Sequence, residues 1–230
     1  MTQPQFSIII PTYNHCWDLL EPCLQTVIAH TDLNEGEIIV VANGCTDQTQ
    51  EVVSGFNLPQ IRLLWYDKAL GFAGAVNAGM RASQAEYVIL LNNDVVLQPQ
   101  QQHHWMQRLL DPFANPFVGI TGPLRANGHQ SPTRRDFVVG FCAAIRRQVI
   151  EQIGLLDESF GVGGAEDIDY CIRAENQGWQ LEQISNWQPG MHYIDYPMAH
   201  KVNGTMSEVE GWNDIFFGNL GRLHDKYRAR

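Results

Sequence analysis

Short apolar runs alternate with helical patterns through the first hundred residues. FSIII (6–10), EIIVV (37–41), IRLLWY (61–66) and YVILL (87–91) are rich in β-branched and aromatic residues, and their apolar positions are nearly continuous. A strand with one wet face alternates, so these runs predict parallel strands covered on both faces. Between them, Leu20, Leu24, Val27 and Ile28 share a helical face, with Pro22 acceptable in a first turn. Thr46 or Asp47 is placed to cap a short helix running to Ser54, and GFAGAVNAGMRAS (71–83) forms a third helix with small residues for close packing. Strand and helix in alternation imply βαβ units and a doubly wound α/β sheet.

The polar interruptions then acquire an order. PTYN (11–14), ANGCTD (42–47), DKALGFAG (67–74) and NND (92–94) each follow a predicted strand. In an open parallel sheet such loops leave the carboxyl edge, where ligands bind. The last of them breaks the buried run LLNNDVV. Burying an unpaired amide costs roughly 2–7 kcal/mol, and a charge costs more, so Asn92, Asn93 and Asp94 need partners. An Asx-type turn would supply local ones; a bound ligand at the sheet edge would supply others.

The second half reads differently. VGITG (118–122), FVVGFCAAIRR (137–147) and WQLEQI (179–184) predict strands, some antiparallel. RQVIEQIG and EDIDYCIRAENQG predict helices ending at glycine, and residues 122–136 predict a polar, mobile loop. Val209, Trp212, Phe216, Leu220, Leu223 and Tyr227 recur at steps of three and four, the stripe of an amphipathic helix that packs on its own domain. With no repeat or linker, one domain spans 1–230, divided near residue 97.

Composition narrows the chemistry. With 230 residues, 44% hydrophobic, the chain builds a sizeable core. A formal charge of −10 argues against a nucleic-acid partner and means that an anionic small substrate needs local help from a cation or a helix N-terminus. Five cysteines without a C-x-x-C pattern, no basic leader and no long apolar run are expected of a cytoplasmic chain with reduced thiols and no transmembrane segment. The phosphate-binding G-x-x-x-x-G-K-S/T, the zinc-binding H-E-x-x-H, the G-x-S-x-G elbow and the dinucleotide G-x-G-x-x-G are all absent.

Six motifs remain, in this order: SIIIPTYN, VVANGCTDQT, LGFAGAVNAG, LLNNDVV, GLLDESFGVGGAEDIDYCIRAENQGW and HKVNGT. Together they resemble the inverting glycosyltransferases of family 2 with the GT-A fold, of the bacterial polysaccharide type. The resemblance spans nearly the whole chain and implies a nucleotide-sugar half at about 1–97 and an acceptor and catalytic half at about 98–230. It implies transfer of a sugar from a nucleoside-diphosphate donor, a UDP- or dTDP-sugar in preference to a GDP-sugar, to a hydroxyl of a saccharide or glycolipid, with peripheral membrane contact as a further expectation.

The resemblance also distributes roles. Pro11, Thr12, Tyr13, Asn14, Asn43, Asp67, Gly71, Asn77, Asn92 and Asn93 fall on donor-binding positions. Asp94 matches the final acid of the family's D-x-D motif and would ligate Mn²⁺ or Mg²⁺, with His200 downstream completing the site. Asn92 stands where many relatives carry the first acid, and Ala42 stands where they carry an aspartate that reads the base. Within AEDIDYC the Glu-Asp motif makes Asp167 the general base and Glu166 the second choice. Without the resemblance, these acids read as charge complementation at a helix start, worth roughly 0.3–1 kcal/mol. A sugar-nucleotidyltransferase and a non-catalytic nucleotide-sugar or glycan-binding module are the alternatives.

Overall fold

The computed structural model describes residues 3–126, 133, 135–186, 195–201 and 209–228. Four strands, β1 (Phe6–Thr12), β2 (Gly36–Asn43), β3 (Ile61–Tyr66) and β4 (Tyr87–Leu91), are parallel. They are joined by α1 (Glu21–His30), α2 (Thr49–Gly55) and α3 (Gly71–Ala82). The first helix is entered through a wide turn, Cys16–Leu20, in which Leu20 N–H reaches back to the His15 carbonyl. Pro22 therefore sits in the first turn, where its missing N–H leaves no intrahelical bond unmade.

A short β5 (Val95–Leu97), α4 (His104–Leu110), β6 (Val118–Gly122), β7 (Arg125–Ala126), β8 (Phe137–Val138), β9 (Cys142–Arg146), α5 (Arg147–Ile153), α6 (Glu166–Asn176), β10 (Gln180–Gln183), β11 (Met198–His200) and α7 (Trp212–Arg228) follow. The central sheet has seven strands in the order β10-β6-β9-β4-β1-β2-β3. β9 runs antiparallel to both its neighbours, so the parallel first half and the mixed second half share one sheet.

The continuous apolar strands are explained by two cores, one on each face of that sheet. Ile9, Ile39, Val41, Val88 and Leu90 point into the first, under α3, α5, α6 and α7. Ile8, Ile10, Ile38, Val40, Ile89 and Leu91 point into the second, with Leu24 and Val27 of α1 and Trp105 and Met106 of α4. At α7, Leu223 is fully buried and Leu220 and Tyr227 pack against the first core, so its apolar stripe serves its own domain as expected.

Two expectations change. The run 137–147 is two strands, because Val139, Gly140 and Phe141 leave the ladder to make contacts described below. The loop expected over 122–136 begins with a strand pair: β7 takes β8 as its antiparallel partner, while residues 127–132 and 134 lie outside the described residues. Among the described residues no helix is long and apolar enough to cross a membrane.

Candidate active site

The carboxyl edge of the parallel strands is built by loops that hold one another. In the loop after β1, Asn14 and His15 take left-handed backbone angles. The Asn14 Oδ1 accepts Thr46 N–H at 2.8 Å, and the Asn14 N–H points to Cys45 Sγ at 3.3 Å. Asp47 accepts Cys16 N–H through Oδ2 and caps α2 through Oδ1, which takes the Thr49 hydroxyl at 2.5 Å. Burial alone would raise the Asp47 pKa, but the hydrogen bonds from Thr49 and Cys16 hold it below the ordinary carboxylate value. Asp47 is thus a cap and a cross-tie, and Asn14 is a cross-tie too. Pro11 and Thr12 lie within β1, whereas Tyr13 is 46% exposed at the mouth of the edge.

Asn43, at the end of β2, accepts Leu70 N–H at 2.6 Å and donates to the Gly71 carbonyl at 3.4 Å, so its amide shapes the 67–71 loop. Gly71 has φ of 76°, and a Cβ there would lie 2.1 Å from the Gly161 carbonyl oxygen, so glycine alone lets the donor loop meet the loop that precedes α6. Asp67 remains exposed and accepts the Trp65 indole N–H at 3.0 Å. Asn77 departs from the expected donor-binding role. It is almost wholly buried, and its amide is engaged by the Leu156 backbone and by Glu158 Oε1, tying α3 to the 156–158 segment. Ala42, at the position where relatives read the base, is fully buried.

The Asn92–Asp94 turn finds its partners in three separate segments. Asn92 is half-buried; its N–H donates to the Phe141 carbonyl at 2.9 Å, and its carbonyl takes Val95 N–H at 3.3 Å. Asn93, buried, donates to Thr12 Oγ1 at 2.9 Å. β5 pairs antiparallel with β11 so that His200 stands opposite Val95, one residue beyond Asp94. The Asp94 carbonyl accepts Lys201 N–H, closing the pairing. This register brings His200 Nε2 to 3.2 Å from Asp94 Oδ1, and the imidazole ring stacks on Phe141 with centroids 4.4 Å apart and planes 10° apart.

The Asp94 and His200 pair fits a divalent cation by its donor chemistry. His200 Nε2 is buried and has no hydrogen-bond partner among the described residues. Two donors that each stand about 2.1 Å from one ion at adjacent octahedral positions are about 3.0 Å apart. A hard carboxylate oxygen beside an imidazole nitrogen suits Mn²⁺. No group of three or more ligating side chains occurs among the described residues. The VNGT portion of the HKVNGT motif lies outside the described residues.

The second constellation sits at the start of α6. Glu166 and Asp167 open the helix after Gly163, Gly164 and Ala165, all with positive φ. Asp167 Oδ2 accepts Gly140 N–H at 3.0 Å and Oδ1 accepts Ile168 N–H at 2.8 Å. Glu166 Oε2 is buried with no hydrogen-bond partner. Burial, reinforced by the neighbouring Asp167 charge, pushes the Glu166 carboxyl up to about 8. Burial raises Asp167 as well, against the opposing N–H donors of Gly140 and Ile168. Two adjacent buried acids do not readily both ionise, and the N–H donors favour the anion on Asp167. Burial and the Asp167 charge thus favour a proton on Glu166.

Asp169 has a different fate. It is completely buried and takes Arg173 Nε at 2.8 Å, the Tyr227 hydroxyl at 2.7 Å and Lys226 Nζ at 2.7 Å. Its charge pins α7 to α6. Asn219, also on α7, donates to the carbonyls of Phe160 and Gly163 and so steadies the loop that delivers the acids. An apolar cavity behind the pair is lined by Phe72, Leu90, Val138, Leu156 and Tyr170, with Asp167 at its edge.

Sequence reasoning found both acid clusters and His200, but not Gly140 and Phe141. Through them the clusters meet: one residue's N–H holds Asp167, and the next residue's carbonyl holds Asn92. The signal was the glycine inside an otherwise strand-like run, which commonly marks a bulge or a close backbone approach. A Cβ at Gly140 would stand 3.1 Å from Asp167 Cβ, so the approach is tight.

Comparison with known proteins agrees with this architecture. Residues 7–137 match the family model for glycosyl transferase family 2. The glycosyltransferase AglE of Haloferax volcanii is 26% identical over 78% of this chain and 64% of its own length. The O-antigen biosynthesis protein RfbC of Myxococcus xanthus is 25% identical over 91% of this chain and 18% of its own. The chain thus spans less than two thirds of the length of these relatives. Among solved structures, a mannosyltransferase from Pyrobaculum calidifontis in complex with GDP-Man and Mn²⁺ superposes with a TM-score of 0.65 at 22% identity, over 79% of this chain and 55% of that one. GalNAc-T7 with UDP, GalNAc and Mn²⁺ gives a TM-score of 0.65 at 15% identity, over 78% and 42%. With a family model matching more than half of its residues and structural neighbours of the same fold, the chain belongs to glycosyl transferase family 2 and has the GT-A fold.

Proposed function

We propose that this enzyme transfers a sugar from a nucleoside-diphosphate donor to a hydroxyl of a saccharide or glycolipid acceptor, with inversion at the anomeric carbon and with a divalent metal. The observation that carries the reading is the Gly140–Phe141 junction: the Gly140 N–H donates to Asp167 and the Phe141 carbonyl accepts the N–H of Asn92, two residues before Asp94, which faces His200. Inversion by direct attack needs these two features in one site: a means of holding negative charge on the leaving diphosphate and a carboxylate beside the incoming hydroxyl.

Asp94 and His200 would hold Mn²⁺ or Mg²⁺, which when bound offsets the diphosphate charge that this acidic chain would otherwise repel. The loops at 11–17, 43–47 and 67–71 form the donor side, with Tyr13 and Asp67 offering exposed side chains and Asn14 and Asn43 fixing loop shape. Thr12 orients Asn93, and Asn93 with Asn92 frames the turn that presents Asp94. Asp167 accepts the hydroxyl proton as the acceptor oxygen bonds to the anomeric carbon and the bond to the diphosphate breaks. Glu166, protonated, leaves the negative charge of the pair on Asp167.

The donor is assigned as a UDP- or dTDP-sugar in preference to a GDP-sugar, following the family resemblance. The acceptor class has the support of relatives that act in saccharide synthesis by name, including a chondroitin synthase of Pasteurella multocida, 28% identical over 76% of this chain and 19% of its own length.

The test is a release assay with UDP-, dTDP- and GDP-sugars, a saccharide or glycolipid acceptor, and Mn²⁺ or a chelator. Nucleoside diphosphate should appear with Mn²⁺ and not with chelator, and the product should carry the anomeric configuration opposite to the donor's. Release that is indifferent to chelator would remove the metal from the scheme; retained configuration would remove direct attack assisted by Asp167.

A further inference from the structure

Among the contacts that the scheme above does not use, the stack of Phe141 on His200 stands out because both rings are fixed by different parts of the fold. Phe141 is 4% exposed, and its carbonyl is bonded to Asn92 N–H at 2.9 Å, so its position is set from the same turn that carries Asp94. His200 is on β11, which reaches the turn through only three paired residues of β5. Strand register brings the His200 backbone alongside, but it does not choose the rotamer of an imidazole with two free torsions. The Phe141 ring, 4.4 Å away and nearly parallel, removes that freedom and leaves Nε2 aimed at Asp94 Oδ1.

We propose that Phe141 is the positioning residue for His200, acting through its flat ring to hold the imidazole in ligating orientation. This rests on the reading that His200 helps to hold the divalent cation. Phe141 touches neither cation nor substrate in this role; it sets the fraction of time that Nε2 is available to the ion. Stacking between aromatic rings shifts such an equilibrium by about three- to tenfold.

The experiment is a titration of Mn²⁺ followed by the electron paramagnetic resonance signal of the free ion, in the presence of UDP, dTDP or GDP in parallel. It uses the parent protein, Phe141→Leu, Phe141→Tyr, His200→Ala and the double variant Phe141→Leu/His200→Ala, with the thermal midpoint of each as a folding check. Phe141→Leu should weaken Mn²⁺ binding about three- to tenfold, and Phe141→Tyr, which keeps the ring, should stay within about twofold of the parent. In the His200→Ala background Phe141→Leu should have no further effect, because the side chain it positions is gone. An equal loss in both backgrounds, or equal losses for Leu and Tyr, would overturn the positioning role while leaving the metal site standing. His200→Ala with unchanged Mn²⁺ affinity would instead overturn the ligand reading, and the Phe141 proposal with it.

Discussion

The two acid clusters use the same functional group under opposite conditions. Asp94 faces an imidazole nitrogen across 3.2 Å and is reached from three segments of chain, β1 through Asn93, the Val139–Phe141 segment through the Asn92 backbone, and β11 through His200. Glu166 and Asp167 are adjacent in sequence, the first buried and the second half-buried, and hydrogen-bonded by backbone N–H groups. A carboxylate beside a nitrogen ligand is suited to keep its charge and share it with a cation. A desolvated pair with one charge between two acids is suited to take up a proton. The difference lies in what surrounds each carboxylate and not in the residue type.

The largest effect should come from removing the proton acceptor. Asp167→Asn keeps the shape, and its one amide oxygen can accept only one of the Gly140 and Ile168 N–H groups; it loses the base, and such losses typically cost 10²–10⁴ in rate, roughly 2.7–5.4 kcal/mol. Nucleotide-sugar binding with Mn²⁺ should survive, since the donor loops and Asp94 are untouched. Glu166→Gln should retain far more activity, because Glu166 already carries a proton at pH 7. Turnover measured beside calorimetric donor binding separates the two; a reversal of the variants would move the base to Glu166.

The next effect is on stability. The Glu166 carboxyl is raised in the fold to about 8 from its ordinary value of 4.5, so the native state retains a proton that the unfolded chain gives up. Stability from this group is fully present below about pH 4.5 and is lost as pH rises through about 8, by an amount on the order of a few kcal/mol. Urea midpoints recorded across that window should fall with pH more steeply in the parent than in Glu166→Gln, whose side chain does not titrate. Parallel curves would mean that Glu166 is ionised in the fold.

Asp94→Ala breaks the other half. A nucleoside diphosphate at a hundred times its dissociation constant stabilises a protein by about 2.7 kcal/mol, and the metal-dependent part of that gain should disappear in the variant while the melting of the free protein changes little. A preserved Mn²⁺-dependent thermal shift would place the cation elsewhere.

How much of this was legible in the sequence follows from how local each feature is. The four parallel strands, the edge loops and the Glu-Asp helix start are written in consecutive residues, so patterning and motif order sufficed. His200 was found only by its motif, because its approach to Asp94 depends on the pairing of β5 with β11, which periodicity does not encode. Phe141 and Gly140 were hidden inside an apolar run that reads as strand; only the packing of Asp167 against that run reveals why it breaks. Asn77 was placed among the donor-binding residues by its motif, with a helix-packing amide at least as apt a reading, and its amide does close a packing contact between distant segments, which a one-dimensional pattern does not distinguish from a ligand contact. The two further acids of the cluster diverged for a similar reason: Asp169 meets Lys226 and Tyr227 from α7, far along the chain, and one carboxylate oxygen of Glu166 is buried without a hydrogen-bond partner.

The smallest effect concerns the base-reading position on the donor side. Ala42 lies at the end of β2, in register with Thr12 of β1 and Trp65 of β3, and it is fully buried. An aspartate placed there gains a base N–H only if the bound nucleotide reaches it, and it suffers desolvation whenever the nucleotide is absent. Ala42→Asp should therefore lower the stability of the free protein, since a buried polar group without a partner costs about 1–3 kcal/mol. It should also increase the thermal shift given by UDP and dTDP, each of which offers an N3–H donor, by about 1 kcal/mol of binding. The two changes have opposite signs in one variant, so general loosening of β2 cannot imitate them. Lower stability with no gain from UDP or dTDP would show that the base lies away from position 42, with Tyr13 and Asp67 the exposed side chains left to read it.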